Sequence, residues 1–183
     1  MGGAPSLILP GLWQGGVEDN AWYKEHQITH VVSLGEETPK LKLKGRLHIN
    51  VEDTDVTDLS VHFLEIAEFI HKARMEGGCC YVHCVAGVSR SSAAVLAYLM
   101  AHLSLTYKQA YYGFLARRRD TACPNSGFVR QLRAFGRKGR QPVTQHLRKQ
   151  FPGGEDLLVI DRMELEAADP RRMPLPAAVP RGK

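Results

Sequence analysis

The sequence predicts an α/β fold, with a central, mainly parallel sheet flanked by helices. Three observations carry this expectation. Candidate strands alternate with helical segments, the pattern of a parallel sheet covered by helices. Residues 28–34 (Ile-Thr-His-Val-Val-Ser-Leu) are β-branched and mostly apolar, as a buried strand should be. Residues 79–83 (Cys-Cys-Tyr-Val-His) form a second strand candidate that runs through a small-residue loop into an apolar helix over 91–102.

In chain order, residues 7–13 read as a short strand, a Pro-Gly turn at Pro10-Gly11 and a second extended piece. A short helix is expected over 18–26, then the strand at 28–34 and another at 46–50. Leu59, Phe63, Ile66, Ile70 and Ala73 recur at helical spacing and share one face. Asp58 is placed to cap that helix and Gly77-Gly78 to end it. Beyond the 79–102 unit, helices are expected over 106–119 and 127–137. From 139 the periodicity fades. Six of the ten prolines lie in 142–180, with Gly153-Gly154 between them. The reading is therefore one folded domain over 1–138 and a flexible tail over 139–183, with at most one turn or helix at 156–165.

A chain of 183 residues fits one domain with a proper core. No run approaches the roughly 20 apolar residues that span a bilayer, and the N-terminus lacks a secretory signal. A cytoplasmic or nuclear protein is expected, where thiols stay reduced. Cys79, Cys80, Cys84 and Cys123 then need a reading other than a disulfide framework, and none of their spacings is that of a zinc knuckle. No metal site is expected. The net charge of +5 suits an anionic partner. Much of the excess lies in Arg130, Arg133, Arg137, Lys138, Arg140, Arg148 and Lys149, a stretch with no acidic residue.

The chemistry is concentrated in Val82-His83-Cys84-Val85-Ala86-Gly87-Val88-Ser89-Arg90-Ser91-Ser92. This segment joins a strand end to a helix start, where free N–H groups and the helix dipole favour an anion. Gly87 lets the loop curl so that the N–H groups of Val85, Ala86, Gly87, Val88 and Ser89 converge as a nest. A phosphate fits such a cradle, and Arg90 offers a planar fork for two of its oxygens. Cys84 lies at the base, where the field that binds phosphate also favours thiolate over thiol. A lone cysteine before a glycine is usually a small buried hydrophobe. Here Cys, Gly and Arg share one loop, each in a place the chemistry uses.

The Cys-x5-Arg constellation resembles the signature of the protein tyrosine phosphatase superfamily, and of its dual-specificity branch in particular, including Ser91 after the arginine. The resemblance covers roughly residues 7–137. Leu9-Pro10-Gly11-Leu12 looks like the family's opening, and Pro124-Asn125-Ser126-Gly127-Phe128 like its late Pro-Asn-x-Gly-Phe segment. It implies a protein phosphatase acting on phosphotyrosine and phosphoserine or phosphothreonine through a phosphocysteine, with phosphorylated proteins as partners and no cofactor. It implies Cys84 as nucleophile, Arg90 as clamp and Ser91 as hydrogen-bond donor to the sulfur. His83 and Asn125 would support the loop. The general acid falls in the 51–60 segment, and Asp53, directly after the strand, is favoured over Asp55.

No lysine lies between Cys84 and Arg90, which weakens a lipid-phosphatase reading; an RNA triphosphatase would carry a different loop. A phospho-binding pseudoenzyme would not need Cys84, Arg90 and a candidate acid together. A rhodanese-like sulfur carrier could use a cysteine loop, but the arginine clamp and the Pro-Asn-x-Gly-Phe segment argue against it. No nucleic-acid partner is favoured, and a monomer is expected. The chain resembles the small, atypical members, some of which are myristoylated. Met1-Gly2-Gly3-Ala4-Pro5-Ser6 fits the M-G-x-x-x-[ST] pattern, so Gly2 is a candidate acylation site. One myristoyl chain binds membranes marginally, and the 130–149 charge would be the second signal for an inner membrane surface.

Overall fold

The computed structural model describes residues 3–35 and 39–168, so Gly2 lies outside the described residues. Strand β1 (Ser6–Leu9) turns at Pro10-Gly11 into β2 (Leu12–Gly15), and the two pair antiparallel. Helix α1 (Asn20–Glu25) follows, its first turn closed by the Asp19 carboxylate, which accepts from the Trp22 N–H at 2.8 Å. Next come β3 (His30–Leu34) and β4 (Gly45–Ile49). Helix α2 (Phe63–Met75) is entered through a tight turn at Ser60–His62, and Asp58 closes that turn by accepting from the Ser60 N–H at 2.9 Å. Then come β5 (Cys80–His83) and α3 (Arg90–His102).

The five strands lie in the order β1-β2-β5-β3-β4, and every pair except β1/β2 is parallel. All four residues of the central strand β5 are buried, because helices cover both faces of the sheet. Helix α3 is buried from Ser91 to His102, so its amphipathicity is weak and it serves as the core against which α2 packs Ile66 and Ile70.

The chain continues helical over 107–118, with wide π-type turns at Gln109–Leu115 leading into α4 (Ala116–Arg118). Helix α5 (Ser126–Ala134) passes through a second π-type stretch, Phe135–Gly139, into α6 (Arg140–Gln150) without a break. Helix α7 (Glu155–Ala168) follows.

The expectation of a flexible tail from 139 does not hold over 140–168. Pro142 lies in the first turn of α6, where a missing N–H costs little. Val143 and Leu147, one turn apart, are buried on one side of α6, and Leu165 of α7 is buried as well. Helix α7 is held by a buried charge as well as by these apolar contacts. The Asp161 carboxylate, fully buried, accepts from Arg74 Nη1 and Nη2 of α2, both at 2.7 Å. His102 Nε2 of α3 lies 2.8 Å from the same carboxylate. Arg74 also donates to the Pro10 carbonyl and to Tyr98 Oη, so α7 is tied at once to α2, α3 and the β1–β2 turn.

Candidate active site

The site forms at the C-terminal edge of the parallel strands. Cys84 follows β5 directly and is only 2% exposed, and the loop from Cys84 to Ser89 curls into the start of α3. Gly87 adopts φ +69°, and a Cβ there would lie 2.3 Å from the Gly15 carbonyl carbon. Both the conformation and the close approach to the β2 end require glycine. Loop curvature is thus set by contact with the neighbouring strand.

Several buried groups hold the loop from behind. Gln14 Nε2, at the end of β2, donates to Ser92 Oγ at 2.7 Å and lies 3.3 Å from Ser91 Oγ. Ser92 Oγ donates in turn to the Val88 carbonyl at 2.6 Å. Arg119 Nε donates to the Gly87 carbonyl at 2.9 Å, while its Nη1 donates to the Ala4 carbonyl at 2.8 Å. By occupying loop carbonyls these donors leave the N–H groups of the nest for an anion. The Cys123 N–H donates to the Val88 carbonyl at 2.9 Å, fixing the loop's other side.

The chemical groups converge on the loop's open face. Ser91 Oγ is 3.5 Å from Cys84 Sγ, a distance at which the hydroxyl can donate to a thiolate. Arg90 is fixed by donation from Nη1 to the Val51 carbonyl at 3.0 Å, and its Nε lies 3.7 Å from Asp53 Oδ2. Asp53 Oδ1 accepts from Ser89 Oγ at 2.6 Å and from Asn125 Nδ2 at 2.8 Å. Asn125 therefore does three jobs. Its Oδ1 caps α5 by accepting from the Phe128 N–H at 2.9 Å, its amide holds Asp53, and its N–H donates to Ser89 Oγ at 3.0 Å. Gly127 permits the close stacking of this corner, since a Cβ there would meet the Asp55 carbonyl oxygen at 2.2 Å. Asp55 thus faces α5 with its backbone, and Asp53 is the carboxylate that reaches Arg90.

His83 is buried at the end of β5, opposite Ser33 of β3, with Nε2 2.7 Å from Ser33 Oγ. Burial pushes its pKa down to about 4, so the ring is neutral and serves to fix the strand end. Cys80 lies at the far end of β5, fully buried, about 13 Å from Cys84 at strand rise. That is too far for a disulfide, and burial pushes both its thiol and, to about 11, that of Cys79 upward. Cys123 is exposed.

The structure therefore brings together Cys84, Arg90, Ser91, Asp53, Ser89 and Asn125. Sequence reasoning missed Gln14 and Arg119. Arg119 sits in a run of three arginines whose letters do not distinguish it, and its partners lie 32 and 115 positions away.

Comparison with known proteins accords with this arrangement. The model of the dual specificity phosphatase catalytic domain matches residues 13–138. Dual specificity protein phosphatase 15 of Rattus norvegicus is 37% identical over 155 residues, covering 82% of this chain and 65% of its own length. Dual specificity protein phosphatase 22 of Mus musculus is 37% identical over 156 residues, covering 82% of this chain and 84% of its own. The chain thus spans slightly less than two-thirds of the rat relative. The crystal structure of DUSP15 superimposes with a TM-score of 0.75 at 34% identity, over 80% of this chain and 96% of that one. Fold, loop and sequence agree, and the chain belongs to the dual-specificity protein phosphatase family.

Proposed function

We propose that the protein hydrolyses phosphate monoesters on phosphorylated proteins, at tyrosine and at serine or threonine, through a phosphocysteine on Cys84. The observation that carries this reading is the convergence of Cys84 Sγ, the Arg90 fork and the Asp53 carboxyl on one glycine-shaped loop. Phosphate held by the nest and Arg90 presents phosphorus to the Cys84 thiolate. The S–P bond forms as the P–O bond to the substrate breaks, and the carboxylic acid of Asp53 gives the leaving oxygen its proton. Asp53, now a carboxylate, takes a proton from water as that water attacks phosphorus, releasing inorganic phosphate. The Ser91 hydroxyl, 3.5 Å from the sulfur, stabilises the thiolate as it departs.

Turnover of a small aryl phosphate by reduced, metal-chelated protein, lost in Cys84→Ser, is the expected result. A folded wild-type protein that binds phosphopeptide without turnover would shift the reading to a phospho-binding protein.

The same proposal extends to location. Gly3 is exposed and stands near Thr121, and Ala4 is bonded through Arg119 to the phosphate loop. An acyl chain on Gly2, with the basic 130–149 segment as a second signal, would hold the protein at the cytosolic face of a membrane. Gly2→Ala should move the protein from membrane to soluble fractions of cells; equal partitioning of the two proteins would sink this part.

A further inference from the structure

A basic, aromatic-walled surface begins beside the acid loop and leads away from it. Arg130 donates from Nη2 to the Asp55 carbonyl at 3.1 Å, so its guanidinium sits at the lip of the site. Arg133 and Arg137 follow on the same helix, all three exposed. Arg133 lies over the ring of Tyr107 at 5.5 Å from its centroid. Arg133, Arg137 and Lys108 then line a cavity of about 290 Å³ whose walls include Tyr107 and Tyr112. Tyr112 is 56% exposed, and no carboxylate lines the cavity. Among the described residues, Lys108, Arg133 and Arg137 form no ion pair.

Resting on the phosphatase reading above, we infer that this surface docks an acidic segment of the phosphoprotein substrate, next to the phosphorylated residue in its chain. The distance fits. Arg130 and Arg137 are separated by about 10 Å along the helix, which an extended peptide crosses in about three residues. Arginine clusters recognise carboxylate and phosphate side chains, and the aromatic walls shape a slot for one such side chain. A membrane would meet a flat polybasic patch equally well, but the cavity and its start at the acid loop favour a chain emerging from the catalytic pocket.

The test measures binding of fluorescent phosphotyrosine peptides to the Cys84→Ser protein by anisotropy. The same core is flanked by glutamates, by glutamines, by phosphoserines or by lysines. The glutamate peptide should bind about fivefold tighter than the glutamine one at low salt, an advantage that fades as salt is raised. Arg133→Glu/Arg137→Glu should erase that preference and favour the lysine peptide. In the Cys84 background the double variant should hydrolyse an aryl phosphate at the wild-type rate. Arg137→Gln, at an exposed position, serves where the double variant does not fold, and should lower the preference. Equal binding of glutamate and glutamine peptides by the Cys84→Ser protein overturns the proposal. So does equal peptide binding together with sedimentation on phosphatidylserine vesicles that the double variant loses, which assigns the surface to lipid. A glutamate preference in a protein that does not hydrolyse aryl phosphate keeps the docking surface and overturns only the catalytic reading. Preference for phosphoserine over glutamate flanks identifies a second phosphate as the docked group.

Discussion

Asp53 is held by two donors, Ser89 Oγ and the Asn125 amide, so the acid is placed by the phosphate loop and by the cap of α5 together. An amide in its place keeps the size and loses the proton. Asp53→Asn should lower kcat for an alkyl phosphate by about 10²-fold or more, and lower it far less for an aryl phosphate whose leaving group needs little protonation. Steady-state rates across a series of leaving groups check this, and an equal loss throughout the series would assign Asp53 to binding. At this scale the sequence was readable where the partners are close in the chain. Cys84, Gly87 and Arg90 fall within seven residues, and one loop's physics constrains them all. Gln14 and Arg119 were not, because their loop partners come from other elements and a buried glutamine or arginine carries no local signature.

Among the elements, α7 departs most from what its letters predict. Periodic apolar residues announce a packed helix, and in α7 the apolar letters run all round it, with Leu165 buried and Leu158 packed on the core while Val159, Ile160 and Met163 are exposed. Asp161, a residue that sequence patterning assigns to solvent, adds a buried anchor to those apolar contacts. The structure spends that carboxylate on Arg74 and His102, and the proline count that argued for a loose tail had no bearing on it. Removing one partner of a buried pair leaves the other charge unpaired. Asp161→Ala should therefore destabilise the fold by about 3–5 kcal/mol, measured by denaturant unfolding. The site lies near the start of α3 and His102 at its end, about 18 Å away. Turnover per folded molecule should be unchanged at a permissive temperature. A variant as stable as wild type would show that α7 docks without the pair.

For the whole molecule, buried neutral histidines set the acid limit. Burial, with the nearby Arg74 charge, pushes the pKa of His71 down to about 4, and burial does the same for His83. In the unfolded chain each returns to its ordinary value of 6.5. Above that value neither state holds the proton and the groups do not affect stability. As pH falls from 6.5 towards 4, the unfolded state takes up protons that the folded state refuses, so stability drops by up to about 1.4 kcal/mol per pH unit for each group. Below the folded values the slope from these groups ends. The urea midpoint should fall across that window, and His71→Gln should flatten the slope by about one proton. An unchanged slope would mean that His71 takes up its proton without unfolding.

The Arg74–Asp161 pair also gives the fold a direction in time. Residues 13–138 hold the matched catalytic domain, yet the carboxylate that neutralises Arg74 is made 87 positions after it. On the ribosome, the nascent chain can complete its sheet and its phosphate loop while an arginine destined for the interior still waits for its counter-ion. Until α7 arrives that arginine has the Pro10 carbonyl and the Tyr98 hydroxyl as partners but no carboxylate, so its charge is matched only when the last described helix docks.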